Sequence, residues 1–145
     1  MLTFREATED DLPRLLDLLN ELAPDEARLS ENQAREIFRR SLRYPSYRHH
    51  LAFDGTECVG AFALLIVDNL GHRGAPFAVI ENIVVTRARR REGIGRAMLE
   101  RALDLSRRAG CYKLSLSTNL KRTEAHAFYE RLGFERHGYS FVASL

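Results

Sequence analysis

An apolar, β-branched run in this 145-residue chain ends at Ile83-Val84-Val85 and gives way to a basic loop, Thr86-Arg87-Ala88-Arg89-Arg90-Arg91-Glu92. Gly93-Ile94-Gly95 follows, and Arg96-Ala97-Met98-Leu99 begins an amphipathic helix. Glycines at a helix start let the backbone turn tightly and approach a ligand closely. The first N–H groups of a helix have no partner within it and carry the positive end of its dipole. Such a junction suits phosphate or pyrophosphate, and the surrounding arginines add charge-assisted hydrogen bonds.

The rest of the chain reads as elements around that junction. Phe4-Arg5-Glu6-Ala7 ends a first strand, and Thr8 caps a helix with Glu9, Asp10 and Asp11 in its first turn. Leu12, Leu15, Leu16, Leu18, Leu19 and Leu22 form its apolar face before Pro24 stops it. Ser30 with Gln33 is a capping box for a second helix that runs to about Arg43. His50–Phe53 and Cys58–Val67 read as strands joined by an Asp54-Gly55 hairpin turn. A loop from Asp68 to Pro76 leads to a fourth strand, Phe77–Val85. The next helix runs to about Ala109 and ends at Gly110. Lys113–Thr118 is a fifth strand, Thr123–Leu132 a short helix closed by Gly133, and Phe134 to about Ala143 one or two final strands. Early hairpins and later crossovers imply an α/β fold with a mixed, mostly antiparallel sheet flanked by helices, in a single domain over residues 1–145.

Composition narrows the class. Apolar residues make up 45% and charged residues 29%, as in ordinary globular proteins. No apolar run reaches the roughly 20 residues needed to span a bilayer. Met1–Glu6 shows no signal-peptide pattern, so a cytoplasmic, membrane-free protein is expected. Cys58 and Cys111 lack metal spacing and read as buried or half-buried reduced thiols. His49 and His50 point to opposite sides of a strand and make no zinc pattern with His72, so no metal is expected. Net charge is only +2, which argues against a nucleic-acid partner despite the arginine run.

The glycine pair has several owners in principle. A Walker loop needs Gly-Lys-Ser/Thr, which Arg96-Ala97 does not supply. A dinucleotide-binding fingerprint needs a third glycine where Met98 stands, and it opens on the first strand of its fold. The longer pattern Arg90-x-x-Gly93-x-Gly95, after Ile83-Val84-Val85 and before Arg96-Ala97-x-Leu99, resembles the acyl-CoA loop of the GNAT N-acetyltransferase superfamily. Ala125-His126-Ala127-Phe128-Tyr129-Glu130-Arg131-Leu132-Gly133-Phe134 resembles the last helix and strand of the same superfamily. His49-His50-Leu51-Ala52 and Leu116-Ser117-Thr118-Asn119-Leu120-Lys121-Arg122 look like aminoalkylphosphonate N-acetyltransferases. Ile80-Glu81-Asn82 and Gly110-Cys111-Tyr112-Lys113 look like glucosamine-6-phosphate N-acetyltransferases.

The resemblance implies direct acetyl transfer from acetyl-CoA, as co-substrate, to a primary amine of a small molecule. It also allows a homodimer through the C-terminal strands. The amine must lose a proton and the departing thiolate must gain one, so a base and an acid are required. Glu81 is the base candidate. Period-two alternation places it on one face with Ile83 and Val85, and Asn82 on the other; its alternative role is an ion pair with an arginine. Tyr129 is the acid candidate, since an ordinary phenol is protonated at neutral pH.

Backbone groups of Ile83, Val84 and Val85 are expected to align the pantetheine arm. The N–H groups of Arg91, Glu92, Gly93, Ile94, Gly95 and Arg96 are expected to meet the pyrophosphate, with charge from Arg90 and Arg91, and Ala97 is a further cofactor-binding candidate. Asn119, Arg122 and His126 are further CoA candidates. Arg122 stands where the family commonly has asparagine, and is alternatively a ligand for an anionic acceptor. Asn82, Ser117 and Thr118 are acceptor-side candidates, the last two at the end of the fifth strand. An anionic amine such as an aminoalkylphosphonate is one acceptor. A polyamine, with Glu26, Glu31 and Asp68 as partners, or a protein amine are others. A CoA sensor without turnover and a nucleic-acid module built on the arginine run are the competing classes.

Overall fold

The structure is a computed structural model that describes residues 1–145. Its contacts divide the chain into two compact units, Met1–Ser115 and Leu116–Leu145. The first unit carries a five-stranded sheet in sequential order: β1 (Leu2–Glu6), β2 (Tyr47–Asp54), β3 (Glu57–Val67), β4 (Phe77–Val85) and β5 (Leu114–Ser115). β1 through β4 pair antiparallel, and β5 pairs parallel with β4. The expected α/β architecture with a mixed, mostly antiparallel sheet is therefore present.

Two helices cover one face of the sheet. Helix α1 (Leu12–Leu22) follows a single 3-10 turn at Glu9–Asp11. Asp11 accepts hydrogen bonds from the Thr8 N–H at 2.7 Å and from the Arg5 guanidinium at 2.7 and 2.8 Å, which fixes the chain entering the helix. Helix α2 (Glu31–Ser41) starts on the expected capping box, with Gln33 N–H donating to Ser30 Oγ at 3.2 Å. Leu12, Leu15, Leu16 and Leu18 of α1 and Ala34 and Phe38 of α2 are buried in one cluster with Leu51, Ala61 and Val84 of the sheet. Helix α3 (Ile94–Arg108) lies against the opposite face. A Cβ on Gly60 would stand 2.8 Å from Met98 Sδ and 2.9 Å from the Val84 carbonyl oxygen, so α3 sits this close only because residue 60 is glycine.

Three features depart from the sequence reading. Register slips in β4: Ala63 faces Glu81 and Ala61 faces Val84, so Asn82 and Ile83 together oppose Phe62. Asn82 takes φ 52°, the left-handed region, and forms a β-bulge. Cross-strand partners share a face, so Glu81 lies on the side of Ala63 and Val84, whereas Val85 pairs with Gly60 and lies on the other. The expected common face of Glu81, Ile83 and Val85 is thus broken by the extra residue.

Second, β5 is two residues long rather than the expected Lys113–Thr118. It pairs only at Ala78↔Leu114 and Val79↔Ser115, and Lys113 adds one carbonyl to Ala78. Ser117 and Thr118 are therefore not on a strand. Third, the final strands are absent. The second unit contains α4 (Thr123–Arg131), a turn at Gly133 with φ 88°, and no regular structure from Phe134 onward. Tyr139, Phe141 and Val142 lie in solvent, and no neighbouring strand takes their backbone hydrogen bonds.

Candidate active site

The junction at the end of β4 is built as the sequence implies. A 3-10 turn at Arg87–Arg89 follows Thr86, and Gly93 caps α3 in the left-handed conformation, φ 81°. Nothing lies within 4 Å of where a Cβ on Gly93 would project. No side chain caps the helix and no acidic residue occupies its first turn. The first intrahelical bond is Ala97 N–H to the Gly93 carbonyl, so the N–H groups of Ile94, Gly95 and Arg96 remain open. Open donors, the dipole and an uncluttered approach fit a diphosphate.

The arginines around this turn divide into two kinds. Arg90 and Arg91 are exposed and form no ion pair; Arg91 takes φ 67°. Arg90 Nε reaches back to the Val85 carbonyl at 3.4 Å. Arg96 pairs with Glu100 at 2.9 Å, and the Glu92 carboxylate with Arg89 at 2.7 Å, which leaves only their backbone N–H groups for a ligand. Arg89 is different again. Its three nitrogens bind Asp54 at 2.7 Å, Glu57 at 2.8 Å and Glu92 at 2.7 Å, and the hydrogen bond it donates to Asp54 leads in raising its pKa above the ordinary value.

Beyond Val79, β5 no longer pairs with β4, so the outer edge of Ile80–Val85 has no strand partner. That edge includes Val84 and Val85, whose backbone groups can accept an extended chain as an added strand. On the face covered by α1 and α2, a register line runs His49–Ala63–Glu81 across three strands. Glu81 is exposed. The charge of Glu81 also adds to burial in pushing the Tyr47 phenol up. His49 packs between Phe38 and Tyr47, at ring separations of 6.4 and 5.4 Å, and burial lowers its pKa. Next to the bulge, a cleft of ≈ 230 Å³ opens between the end of α1, the Ala23–Leu29 segment and Asn82. Its walls include Leu16, Leu19 and Leu22 with Glu26 and Arg28. Arg28 is tied to Asp17 and to the Pro13 carbonyl, each at 3.1 Å, whereas Glu26 has no side-chain partner.

The second unit holds the remaining sequence candidates. Tyr129 packs against Phe128 and Phe134, with ring centroids 5.5 and 6.0 Å away. Burial raises its pKa, and the nearby Arg122 charge offsets part of that shift. His126 Nε2 lies 2.9 Å from the Asn119 carbonyl, and Arg122 N–H donates to the same carbonyl at 3.0 Å. The Thr118 hydroxyl is buried without a hydrogen-bond partner, while Ser117 is exposed.

Sequence reasoning missed two residues at the junction. Glu21, in the last turn of α1, accepts from the Thr86 hydroxyl at 3.0 Å and from the Arg87 N–H at 2.7 Å. Arg89 was one arginine among four in its loop, with nothing local to set it apart, because Asp54 and Glu57 lie far away in sequence. The bulge did leave a trace: asparagine within Ile80-Glu81-Asn82-Ile83 is both a poor strand former and the residue most tolerant of left-handed φ after glycine.

Comparison with known proteins agrees with this construction. Residues 12–134 match the Acetyltransferase (GNAT) family. An aminoalkylphosphonate N-acetyltransferase of Salmonella typhimurium is 33% identical over 141 residues, 97% of this chain and 90% of that one. A glucosamine 6-phosphate N-acetyltransferase of Trypanosoma brucei brucei is 35% identical over 79 residues, about half of each chain at 54% and 52%. A solved structure from Agrobacterium tumefaciens, described as an acetyltransferase, is 35% identical and covers 99% of both chains with a TM-score of 0.94. The open donor turn after β4 and these likenesses lead to one assignment: the chain belongs to the GNAT family, as an acetyl-CoA-dependent N-acetyltransferase.

Proposed function

We propose that the enzyme acetylates the primary amine of a small anionic molecule, an aminoalkylphosphonate or a close analogue. The observation that carries the acceptor is the likeness to the Salmonella typhimurium aminoalkylphosphonate N-acetyltransferase along nearly the whole chain. The donor half rests on the uncapped, acid-free start of α3. In this reading the whole of residues 1–145 works as one catalytic domain, consistent with a family match that runs from 12 to 134. It works in the cytoplasm, as a homodimer.

The roles follow from chemistry. The amine nitrogen attacks the thioester carbonyl carbon; a C–N bond forms and the C–S bond breaks, with CoA leaving as a thiolate. Glu81 takes the amine proton, directly or through water, and the Tyr129 hydroxyl protonates the sulfur. Backbone groups of Ile83, Val84 and Val85 hold the pantetheine arm at the open edge of β4. N–H groups from Arg91 to Arg96 receive the diphosphate, with Arg90 and Arg91 adding charge. Asn119, Arg122 and His126 contact CoA, and Asn82, Ser117 and Thr118 the acceptor.

One observation favours a second reading. The only arginine in the cleft is already engaged, and Glu26 stands free beside apolar walls, an arrangement suited to a polyamine. A thiol-release screen with acetyl-CoA separates the two. Turnover with aminoalkylphosphonates and none with spermidine supports the first reading, and the reverse result replaces it.

A further inference from the structure

The loop between β4 and α3 is short, highly charged and strained at Arg91, yet it must present several N–H groups to one ligand. Ordering such a loop on binding costs conformational entropy for each side chain immobilised. This chain fixes the loop from two sides. At its start, Glu21 of α1 holds the Thr86 hydroxyl at 3.0 Å and the Arg87 N–H at 2.7 Å. Thr86 is itself 7% exposed and its hydroxyl contact is part-buried, whereas the Arg87 N–H contact is open to solvent. In its middle, Arg89 spans from the β2–β3 hairpin, at Asp54 and Glu57, to Glu92 one residue before the helix-capping glycine. All three Arg89 nitrogens are bound, and the side chain is only 25% exposed. Each clamp reaches a different, distant element, α1 in one case and the hairpin in the other.

We propose that Glu21 and Arg89 are positioning residues that set the donor loop in its binding shape before acetyl-CoA arrives, and that Arg89 is not itself a phosphate ligand. The proposal rests on the reading of this loop as the CoA diphosphate site.

Calorimetry of acetyl-CoA binding, without any amine, tests it on the intact protein. Glu21→Gln and Arg89→Met are each expected to raise Kd about tenfold, or about 1.4 kcal/mol. Wherever an amine is turned over, kcat at saturating acetyl-CoA should stay within twofold while KM for acetyl-CoA rises. A general structural defect would instead lower kcat or the active fraction and leave KM in place. Arg89→Lys should be intermediate, since one ammonium cannot span three carboxylates.

The decisive variant is Asp54→Asn with Glu57→Gln. Removing two negative charges near a phosphate site should tighten anion binding on electrostatic grounds. Loss of the clamp should weaken it. A Kd that rises supports the proposal; a Kd that falls or holds overturns it and makes Arg89 a releasable phosphate ligand. If Arg89→Met does not fold, the isosteric Glu21→Gln and the double variant carry the same expectations. Absence of acetyl-CoA binding by the unmutated protein would overturn the functional reading itself, a distinguishable result.

Discussion

A phenol that burial holds above its usual pKa near 10 keeps its proton throughout the neutral range, and this is the condition of Tyr129. In the proposed role it gives that proton to sulfur. Tyr129→Phe should therefore lower kcat roughly 100-fold, the low end for a lost general acid, with acetyl-CoA Kd unchanged by calorimetry. Unchanged kcat would remove Tyr129 from the chemistry. An alkaline fall in kcat due to this group should lie above pH 10 and vanish in the phenylalanine variant. Asp11 offers a test of stability instead. The Arg5 hydrogen bonds lower its pKa to about 2. A depressed carboxylate pKa stabilises the fold above its unfolded value near 4, and that contribution fades as pH falls toward 2. Asp11→Asn should cost about 1 kcal/mol at pH 7, modest because Arg5 is half exposed. The difference from the parent should shrink between pH 4 and pH 2 in urea melts.

Among the elements, the turn into α3 was legible because its signal is local: two glycines, an apolar run before and an amphipathic helix after. Gly93→Val forces a β-branched side chain into left-handed φ, at roughly 1–2 kcal/mol. Since open space surrounds that position, the fold should survive with unchanged circular dichroism while acetyl-CoA binding is lost; retained binding would argue against the loop as the donor site. The bulge in β4 was not legible as such, because alternation is a rule for unbroken pairing and Phe62 must be seen opposite two residues before the slip is known. Asn82→Gly should keep the bulge and Asn82→Val should lower stability by about 1–2 kcal/mol, comparing thermal midpoints. β5 and the C-terminal segment fared worst. Leu114-Ser115-Leu116-Ser117 alternates like a half-buried strand, and Tyr139-Ser140-Phe141 does too. A strand also needs a neighbour, and neither period nor composition says whether one is there.

For the molecule as a whole, sequence order and apolar faces were enough to predict a mostly antiparallel sheet flanked by helices, whereas the shared side of α1 and α2 emerged only from the packing. What that order and those faces did not contain were the long-range hydrogen bonds of Glu21 and ion pairs of Arg89, since each depends on elements tens of residues away. Acetyl-CoA at about a hundredfold excess over its Kd should add roughly 2.7 kcal/mol to the folded state, which a thermal shift of several degrees would register. The brevity of β5 has a consequence for handling. An unpaired row of backbone groups along Ile80–Val85, rich in isoleucine and valine, is a template on which another chain can polymerise. A pantetheine arm lying there would shield it as a lid shields wet paint. Purified enzyme stored without ligand should scatter light sooner than enzyme stored with CoA, and substituting lysine for the exposed Glu81 should not abolish that difference, because the adhesive is main chain rather than side chain.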